Sequence, residues 1–238
     1  MIIFRKIGIY NQMQYQEIIQ SVALKIKEKL NGDSGGHDWW HIYRVWQLSK
    51  SIAEIENADI FIVELAALLH DVADWKYSDG DEWAGGKVAR SMLKEYNLPD
   101  QTISQIIEII DSLSFKGAGV DTTMKTIEGR IVQDADRLDA IGAIGIARTF
   151  AYGGMKGRAI FDPDIKPFLH DSFDSYKRSD SPTINHFFEK LLLLKDRMNT
   201  KTAKDLAIKR HIFLEQFLSQ FFREWDFDME EFKKNLNS

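Results

Sequence analysis

The chain has 238 residues, contains no cysteine and carries a formal net charge of −5 at pH 7. The lack of cysteine excludes disulfides and thiolate metal sites, so any metal must be bound by histidine, carboxylate or backbone oxygen. Lysine and arginine are scattered without a dense basic run, which argues against a duplex nucleic-acid binder. A small anionic ligand needs only two or three local cations and stays compatible with this charge.

The N-terminal segment MIIFRKIGIY is apolar but interrupted by two basic residues, and no small-residue cleavage site follows it. This pattern is not that of a signal peptide. No stretch approaches the roughly 18 apolar residues that span a bilayer. We therefore expect a cytoplasmic protein without a membrane partner.

The spacing of apolar residues predicts a chain built from helices, and only four prolines interrupt it. Asp59 can cap a nearly all-apolar helix that runs through Leu69 and should be the central buried one. In chain order, the predicted helices cover 14–30, 37–56, 59–69, 82–96, a segment from Ile103 to Ile110, 123–150, 184–198 and 200–225.

A loop that contains glycine and proline, AYGGMKGRAIFDPDIKP, precedes the two C-terminal helices. Its span 152–167 is the best candidate for a domain boundary. The aromatic residues of the C-terminal helices are nevertheless expected to pack on the first core. We predict one all-α domain over 1–238, with a core at about 14–150 and C-terminal helices at about 184–225 packed on it.

Three separated segments carry histidine and aspartate: HDWWHIYRV (37–45), HDVADWK (70–76) and QDADRLDA (133–140). His41 lies on the core-facing stripe of its helix, where a lone histidine is more often a core residue than a ligand. His70 and Asp71 end the most apolar helix, and a carboxylate buried there requires a cation.

The third segment places several acids on one helix. Asp136 and Asp139 are three residues apart and share a face, whereas Asp134 points away from Asp136. The alternative is that these acids pair with Arg130 and Arg137 at helical spacings. The four-residue spacing from Arg130 favours this for Asp134, but not for all three acids.

The order and helical placement of these segments resemble the H…HD…D signature of the HD-domain metal-dependent phosphohydrolase superfamily. HxxRV (41–45), LLHDVAD (68–74) and DADRLDA (134–140) are typical of that family. AYGGMKGR, NHFFEKLLLLKDRMNTKTAK and the closing aromatic helix are similar to its YpgQ/YedJ-like bacterial subgroup. The resemblance covers nearly the whole chain after residue 14 and implies an all-α HD-domain helical bundle.

The resemblance also implies one divalent metal ion bound by His41, His70, Asp71 and Asp136. Two imidazoles and two carboxylates suit Mn²⁺, Fe²⁺, Co²⁺, Ni²⁺, Zn²⁺ and, less well, Mg²⁺, and we expect Mn²⁺. Dinuclear HD enzymes place further histidines after the HD pair. Since no histidine occurs between His70 and His170, a second metal is not expected.

A metal ion here would polarise a phosphoryl oxygen and lower the pKa of bound water, so a proton-transfer group is needed nearby. Asp74, one turn beyond Asp71, matches the acidic residue that follows the HD pair in several hydrolases of the superfamily. It is the candidate general acid or base. The alternative is that Asp74 only orients a ligand or caps a helix.

An anionic substrate needs cationic partners, and glycines allow its phosphates to approach the backbone. The GGMKGR sequence offers both features, but a loop with two basic residues is more often merely solvated. Arg44 can alternatively pair with a carboxylate. The candidate phosphate-binding residues are Lys76, Arg44, Arg137, Lys156 and Arg158.

The predicted function is nucleotide hydrolysis, and within the subgroup resemblance it is release of a monophosphate and pyrophosphate from a nucleoside triphosphate. 5′-Nucleotidase and phosphodiesterase reactions would use the same residues, so the sequence does not separate them. A regulatory module that binds a nucleotide without turnover is the alternative from a different class. The presence of all four implied ligands disfavours that alternative. The sequence leaves open whether the protein forms a homodimer.

Overall fold

The structure, a computed structural model, describes residues 2–30 (side chains from residue 13), 38–73, 83–113, 122–168 and 181–225. Every regular element within these ranges is a helix, which confirms the predicted all-α class. None of the helices described here combines the length and the apolar character that a bilayer crossing requires.

The described helices follow one another along the chain. The first begins earlier than the predicted residue 14, and α2 to α5 begin or end within a few residues of the predicted bounds. In chain order they are α1 (Ile2–Lys29), α2 (Trp39–Glu56), α3 (Ile60–Leu69), α4 (Ala84–Lys94), α5 (Asp100–Ser112), α6 (Ile127–Asp139), α7 (Gly142–Met155), α8 (Asn185–Glu189), a 3₁₀ helix (Leu191–Arg197) and α9 (Lys201–Trp225).

Helix α3 occupies the centre of the bundle, as its composition predicts. The side chain of Asp59 caps it by accepting hydrogen bonds from the backbone N–H groups of Phe61 and Ile62. Every residue from Val63 to Leu69 is buried, and α1, α2, α5 and α6 pack around the helix. The C-terminal end of α3 therefore delivers the following His–Asp pair from within the core.

The single long helix predicted over 123–150 is wrong, because the chain turns between α6 and α7. Helix α7 begins at Gly142, whose φ of 79° lies in the left-handed region. A Cβ atom at Gly142 would lie 3.1 Å from Cγ of Arg210 in α9. Glycine thus permits both the turn and the approach of α9. The periodicity concealed the turn because small and apolar residues continue at helical spacing on both sides of it.

The predicted loop at 152–167 also begins too early, because α7 continues to Met155. Gly153 is buried, and a Cβ atom there would lie 2.3 Å from Oγ1 of Thr183. The requirement for glycine at this position therefore comes from packing of α7 against the segment before α8. The helix predicted over 184–198 is divided at Lys190, where φ is −142° and ψ is −59°.

The C-terminal helices contribute to the same buried cluster as the N-terminal ones. Phe187 of α8 and Leu214 of α9 are fully buried within it. Asp134 of α6, also buried, accepts hydrogen bonds of 2.8 Å from the backbone and side-chain donors of both Asn199 and Thr200. This carboxylate ties α6 to the start of α9. That the chain is a single domain remains a prediction.

Candidate metal centre

His41 reaches the centre of the protein from the first turn of α2. Asp38 caps this helix, and its side chain accepts a hydrogen bond from the backbone N–H of His41. The imidazole is 1% exposed, as its place on the core-facing stripe predicts. Nδ1 of His41 lies 2.8 Å from Oδ2 of Asp139. Because an ionised carboxylate only accepts hydrogen bonds, Nδ1 donates and Nε2 faces away from Asp139.

His70 is oriented in the same sense by the backbone. It follows the last residue of α3, and its Nδ1 lies 2.8 Å from the carbonyl oxygen of Ala67. Nδ1–H of His70 therefore donates to that carbonyl, and Nε2 points towards His41. The two Nε2 atoms are 3.3 Å apart. Two lone pairs facing each other at this distance require a proton or a metal cation between them.

Two carboxylates approach the same point. Oδ2 of Asp71 lies 3.5 Å from Nε2 of both His41 and His70. Oδ1 of Asp136 lies 3.5 Å from Nε2 of His41 and 4.0 Å from Nε2 of His70. The carboxylates are on the more open side, with side chains 23% and 35% exposed.

The spacing of these atoms fits one divalent cation. The ligand atoms of His41, His70 and Asp71 all lie within 4.8 Å of one another. Ligand atoms that are each about 2.1 Å from one ion lie about 3.0 to 3.5 Å apart in octahedral or tetrahedral geometry. The three central separations are therefore close to those of a bound site, and Asp136 is placed to join it.

The charge on His41 depends on whether a cation is bound. Burial lowers the pKa of His41, but hydrogen bonds to Asp139 and Asp71 outweigh burial and raise the pKa to about 9. In the metal-free protein, His41 is therefore protonated at neutral pH. The proton on Nε2 takes the place of the cation between the imidazoles and the carboxylates.

Binding of Mn²⁺ at about pH 7.5 is expected to release about one proton per ion, because Nε2 of His41 must be deprotonated before it can bind a metal. Since the pKa of His41 is about 9, binding should tighten about tenfold per unit as the pH rises towards that value. Titration calorimetry in two buffers with different ionisation enthalpies measures the proton count. A count near zero would show that His41 is already neutral or does not bind the ion.

Asp139 is itself bound by two arginines. Arg44 donates from Nε and Nη2 to Asp139 at 2.7 and 3.0 Å, and Arg148 of α7 donates from Nη1 at 2.8 Å. Burial raises the pKa of Asp139, but hydrogen bonds from His41 and Arg44 outweigh burial and hold the pKa well below its usual range. The contact of Arg44 with a carboxylate is the alternative that the sequence left open. Its binding of phosphate stays a prediction.

Sequence reasoning missed Arg148 and the contact between Asp139 and His41. Two spacings carried a signal for that contact. His41 and Arg44 lie three apart on α2, as Asp136 and Asp139 do on α6, so each pair shares one helix face. Nothing in the sequence indicated that the turn at Gly142 brings Arg148 back towards Asp139.

Arg137 joins parts of the chain that are distant in sequence. It is 8% exposed, and it donates to Oγ1 of Thr122 at 2.9 Å and to the carbonyl oxygen of Arg197. Asp134, which could have paired with Arg130, instead accepts from the residues before α9. A phosphate-binding role for Arg137 stays a prediction.

Lys156 and Arg158 flank the end of α7. Nζ of Lys156 and Cζ of Arg158 each lie 5.8 Å from the ring centroid of Tyr152. At 1.5 Å per residue, Lys156 lies about 12 Å beyond Arg148 along α7. Phosphate binding by Lys156 and Arg158 stays a prediction.

Two predicted residues, Asp74 and Lys76, lie outside the described residues. Their assignment as general acid or base and as a phosphate ligand stays a prediction.

Comparison with known proteins finds a matching family for the part of the chain that carries the four predicted ligands. Residues 39–141, which include all four predicted ligands, match the family described as HD domain. The chain is 40% identical to YpgQ of Bacillus subtilis over 202 residues, which are 84% of this chain and 90% of that protein.

Solved structures of similar proteins belong to the same superfamily. An HD-superfamily hydrolase from Bacillus thuringiensis is 45% identical, with a TM-score of 0.70, and the match covers 90% of this chain and 100% of that one. The crystal structure of Bacillus subtilis YpgQ in complex with ADP is 36% identical, with a TM-score of 0.71, and the match covers 89% of this chain and 96% of that one.

Proposed function

We propose that this chain, which belongs to the HD superfamily of metal-dependent phosphohydrolases, hydrolyses a nucleoside triphosphate to a nucleoside monophosphate and pyrophosphate. The observation that carries the proposal is the convergence of Nε2 of His41, Nε2 of His70 and Oδ2 of Asp71 on one point. The crystallisation of YpgQ with ADP supports a nucleotide as the ligand.

The donor set fits a divalent cation, and Mn²⁺ is the ion we propose. Nitrogen and carboxylate donors in equal number suit the divalent transition metals better than Mg²⁺ or Ca²⁺, which prefer oxygen. The cation, when bound, would polarise a phosphoryl oxygen and lower the pKa of a water molecule. His41 and His70 contribute Nε2 as the ligand atom because Nδ1 of each ring is engaged by a hydrogen bond.

The charges around the centre favour an anionic substrate. Arg44 and Arg148 together carry two positive charges, and Asp139 between them carries one negative charge. A bound divalent cation would balance the negative charges of Asp71 and Asp136, so the arginines and Asp139 would leave one positive charge in excess around the centre. Such a potential attracts phosphate groups and raises the rate of substrate association.

Proton transfer is proposed for Asp74, which follows the ligand Asp71 by three residues. A carboxyl group at that distance along the chain can reach a water molecule or a leaving oxygen held beside the ligands. Lys76, two residues further, would add a cation for phosphate. We also propose a cytoplasmic location and no duplex nucleic-acid partner, and a homodimer stays a prediction.

The test is hydrolysis of ribonucleoside and deoxyribonucleoside triphosphates in the presence of Mn²⁺, with pyrophosphate and phosphate measured separately. We expect a nucleoside monophosphate and pyrophosphate in equal amounts, and no turnover after chelation of the metal. Release of phosphate alone would replace the proposed bond cleavage with a phosphatase reaction. No hydrolysis of tri-, mono- or cyclic nucleotides with any divalent cation would contradict the proposal and favour a nucleotide-binding module.

A further inference from the structure

Asp139 is a buried carboxylate surrounded by cationic side chains. Its side chain is 5% exposed, and its Oδ2 lies 2.8 Å from Nδ1 of His41. Arg44 binds both carboxylate oxygens, and Arg148 binds Oδ2. A carboxylate held by a two-pronged arginine contact and a second guanidinium remains ionised and fixed in orientation.

The contacts of Asp139 connect three helices at the metal site. Arg44 and His41 come from α2, Asp139 ends α6, and Arg148 lies in the second turn of α7. Arg210 of α9 also donates to the carbonyl of Leu138, the residue before Asp139. The position of the carboxylate is therefore determined by the packing of the bundle and not by His41 alone.

Asp134 is a matched comparison on the same helix. It is buried to a similar extent, with the residue 0% exposed against 3% for Asp139. Its hydrogen bonds come from the neutral donors of Asn199 and Thr200. Asp134 therefore secures the start of α9, whereas Asp139 faces a predicted metal ligand.

We propose that Asp139 is a positioning residue of the metal site, which fixes the ring of His41 and its Nδ1–H tautomer so that the Nε2 lone pair is presented to the cation. The negative charge of Asp139 also makes Nε2 of His41 a stronger electron-pair donor to a metal ion, as outer carboxylate partners of metal-bound histidines do. The contacts of Arg44 and Arg148 hold the carboxylate in place. The inference rests on the proposed metal site, but not on the identity of the substrate.

The two histidines differ in how they are oriented. Nδ1 of His70 donates to a backbone carbonyl, that of Ala67, which no substitution at that position removes. Nδ1 of His41 donates to a side chain. Substitution of Asp139 therefore alters the orientation of one ligand and leaves the other unchanged, which makes the inference testable.

The test compares Asp139→Asn with Asp134→Asn, two isosteric changes that each remove one buried negative charge from α6. Mn²⁺ dissociation constants are measured by calorimetry, under conditions where each variant has the circular dichroism spectrum of the native fold. We expect Asp139→Asn to weaken binding by about 10- to 100-fold. Asp134→Asn should lower the melting temperature but change the dissociation constant by less than about twofold.

A spectroscopic signature separates positioning from a general loss of stability. In the protein loaded with diamagnetic Zn²⁺, proton–nitrogen NMR of the His41 ring should show a downfield, slowly exchanging Nδ1–H signal. Asp139→Asn should move this signal upfield or broaden it by exchange, whereas Asp134→Asn should not. If Asp139→Asn does not fold, Arg148→Met removes one anchor of the carboxylate and should weaken Mn²⁺ binding several-fold.

Two negative results have different meanings. The positioning role alone would be overturned if Asp139→Asn left Mn²⁺ binding and the His41 signal unchanged. If Asp139→Asn does not fold, the same result with Arg148→Met would overturn it. A wild-type protein that does not bind Mn²⁺ or another divalent cation would overturn the proposed metal site, and the positioning role with it.

Discussion

Substitution of Asp71 by alanine is expected to lower kcat/KM for nucleoside triphosphate hydrolysis by at least about 10³-fold. Oδ2 of Asp71 lies 3.5 Å from Nε2 of both histidines, so its loss removes a ligand and one of the two proposed ligand carboxylates that attract the cation. Metal assistance contributes several kcal/mol to phosphoryl transfer, and about 1.4 kcal/mol corresponds to a tenfold change in rate. Initial rates with saturating Mn²⁺, together with the Mn²⁺ dissociation constant, measure the effect.

Asp205→Ala is the control for that substitution. Asp205 lies on α9, its side chain is 62% exposed, and it pairs with Lys201. Its removal should leave kcat/KM within about twofold of the wild type, because a surface ion pair contributes little. An Asp71→Ala variant that keeps more than about a tenth of the wild-type activity would contradict the role of Asp71 as a ligand.

Substitution of Phe187 by alanine is expected to lower the free energy of unfolding by about 3 to 5 kcal/mol. The side chain is fully buried, it stacks on Phe217 at a centroid distance of 5.6 Å, and it lies 6.0 Å from Phe150. Loss of the ring would leave a cavity where α8 packs against α7 and α9. Urea unfolding followed by circular dichroism measures the change from the shift of the midpoint.

The same experiment tests whether the chain is one domain. If the C-terminal helices share the core of the first ones, the wild type and Phe187→Ala should each unfold in one transition. Phe213→Ala is the matched control, since Phe213 of the same C-terminal region is 46% exposed and its loss should cost less than about 0.5 kcal/mol. Two transitions, of which Phe187→Ala shifts only one, would show that the C-terminal helices form a separate unit.

The sequence correctly predicted the helices whose pattern of apolar residues is typical of only one kind of element. Helix α3 is apolar except for Glu64, and it is the buried centre of the bundle. The turn at Gly142 was not predicted, because the residues AIGAIGIA continue the helical spacing across it. The turn places Gly142 against Arg210, some 70 residues later in the chain, and local periodicity carries no information on such contacts.

The candidate ligands were accessible to sequence reasoning because their order and placement resemble a family signature. The structure brings His41, His70 and Asp71 together and places Asp136 beside them. The partners of these residues were harder to predict. Asp139 was expected to share a face with Asp136, but its contact with His41 depends on how α2 packs against α6, which spacing within one helix does not determine.

The roles of the arginines were least predictable. Arg44 and Arg148 both bind Asp139, although their sequence separation is large and the turn before α7 was not foreseen. A cation near a proposed phosphate site can contact substrate, a carboxylate or both, and only the three-dimensional arrangement shows which carboxylates are within reach.

The most direct measurement of the central claim is anomalous diffraction from crystals of the wild-type protein grown with Mn²⁺. We expect one anomalous peak about 2.1 to 2.3 Å from Nε2 of His41, Nε2 of His70 and carboxylate oxygens of Asp71 and Asp136. A peak elsewhere, or no peak at this position in crystals saturated with Mn²⁺, would contradict the assignment of these four residues as the ligands of one divalent cation.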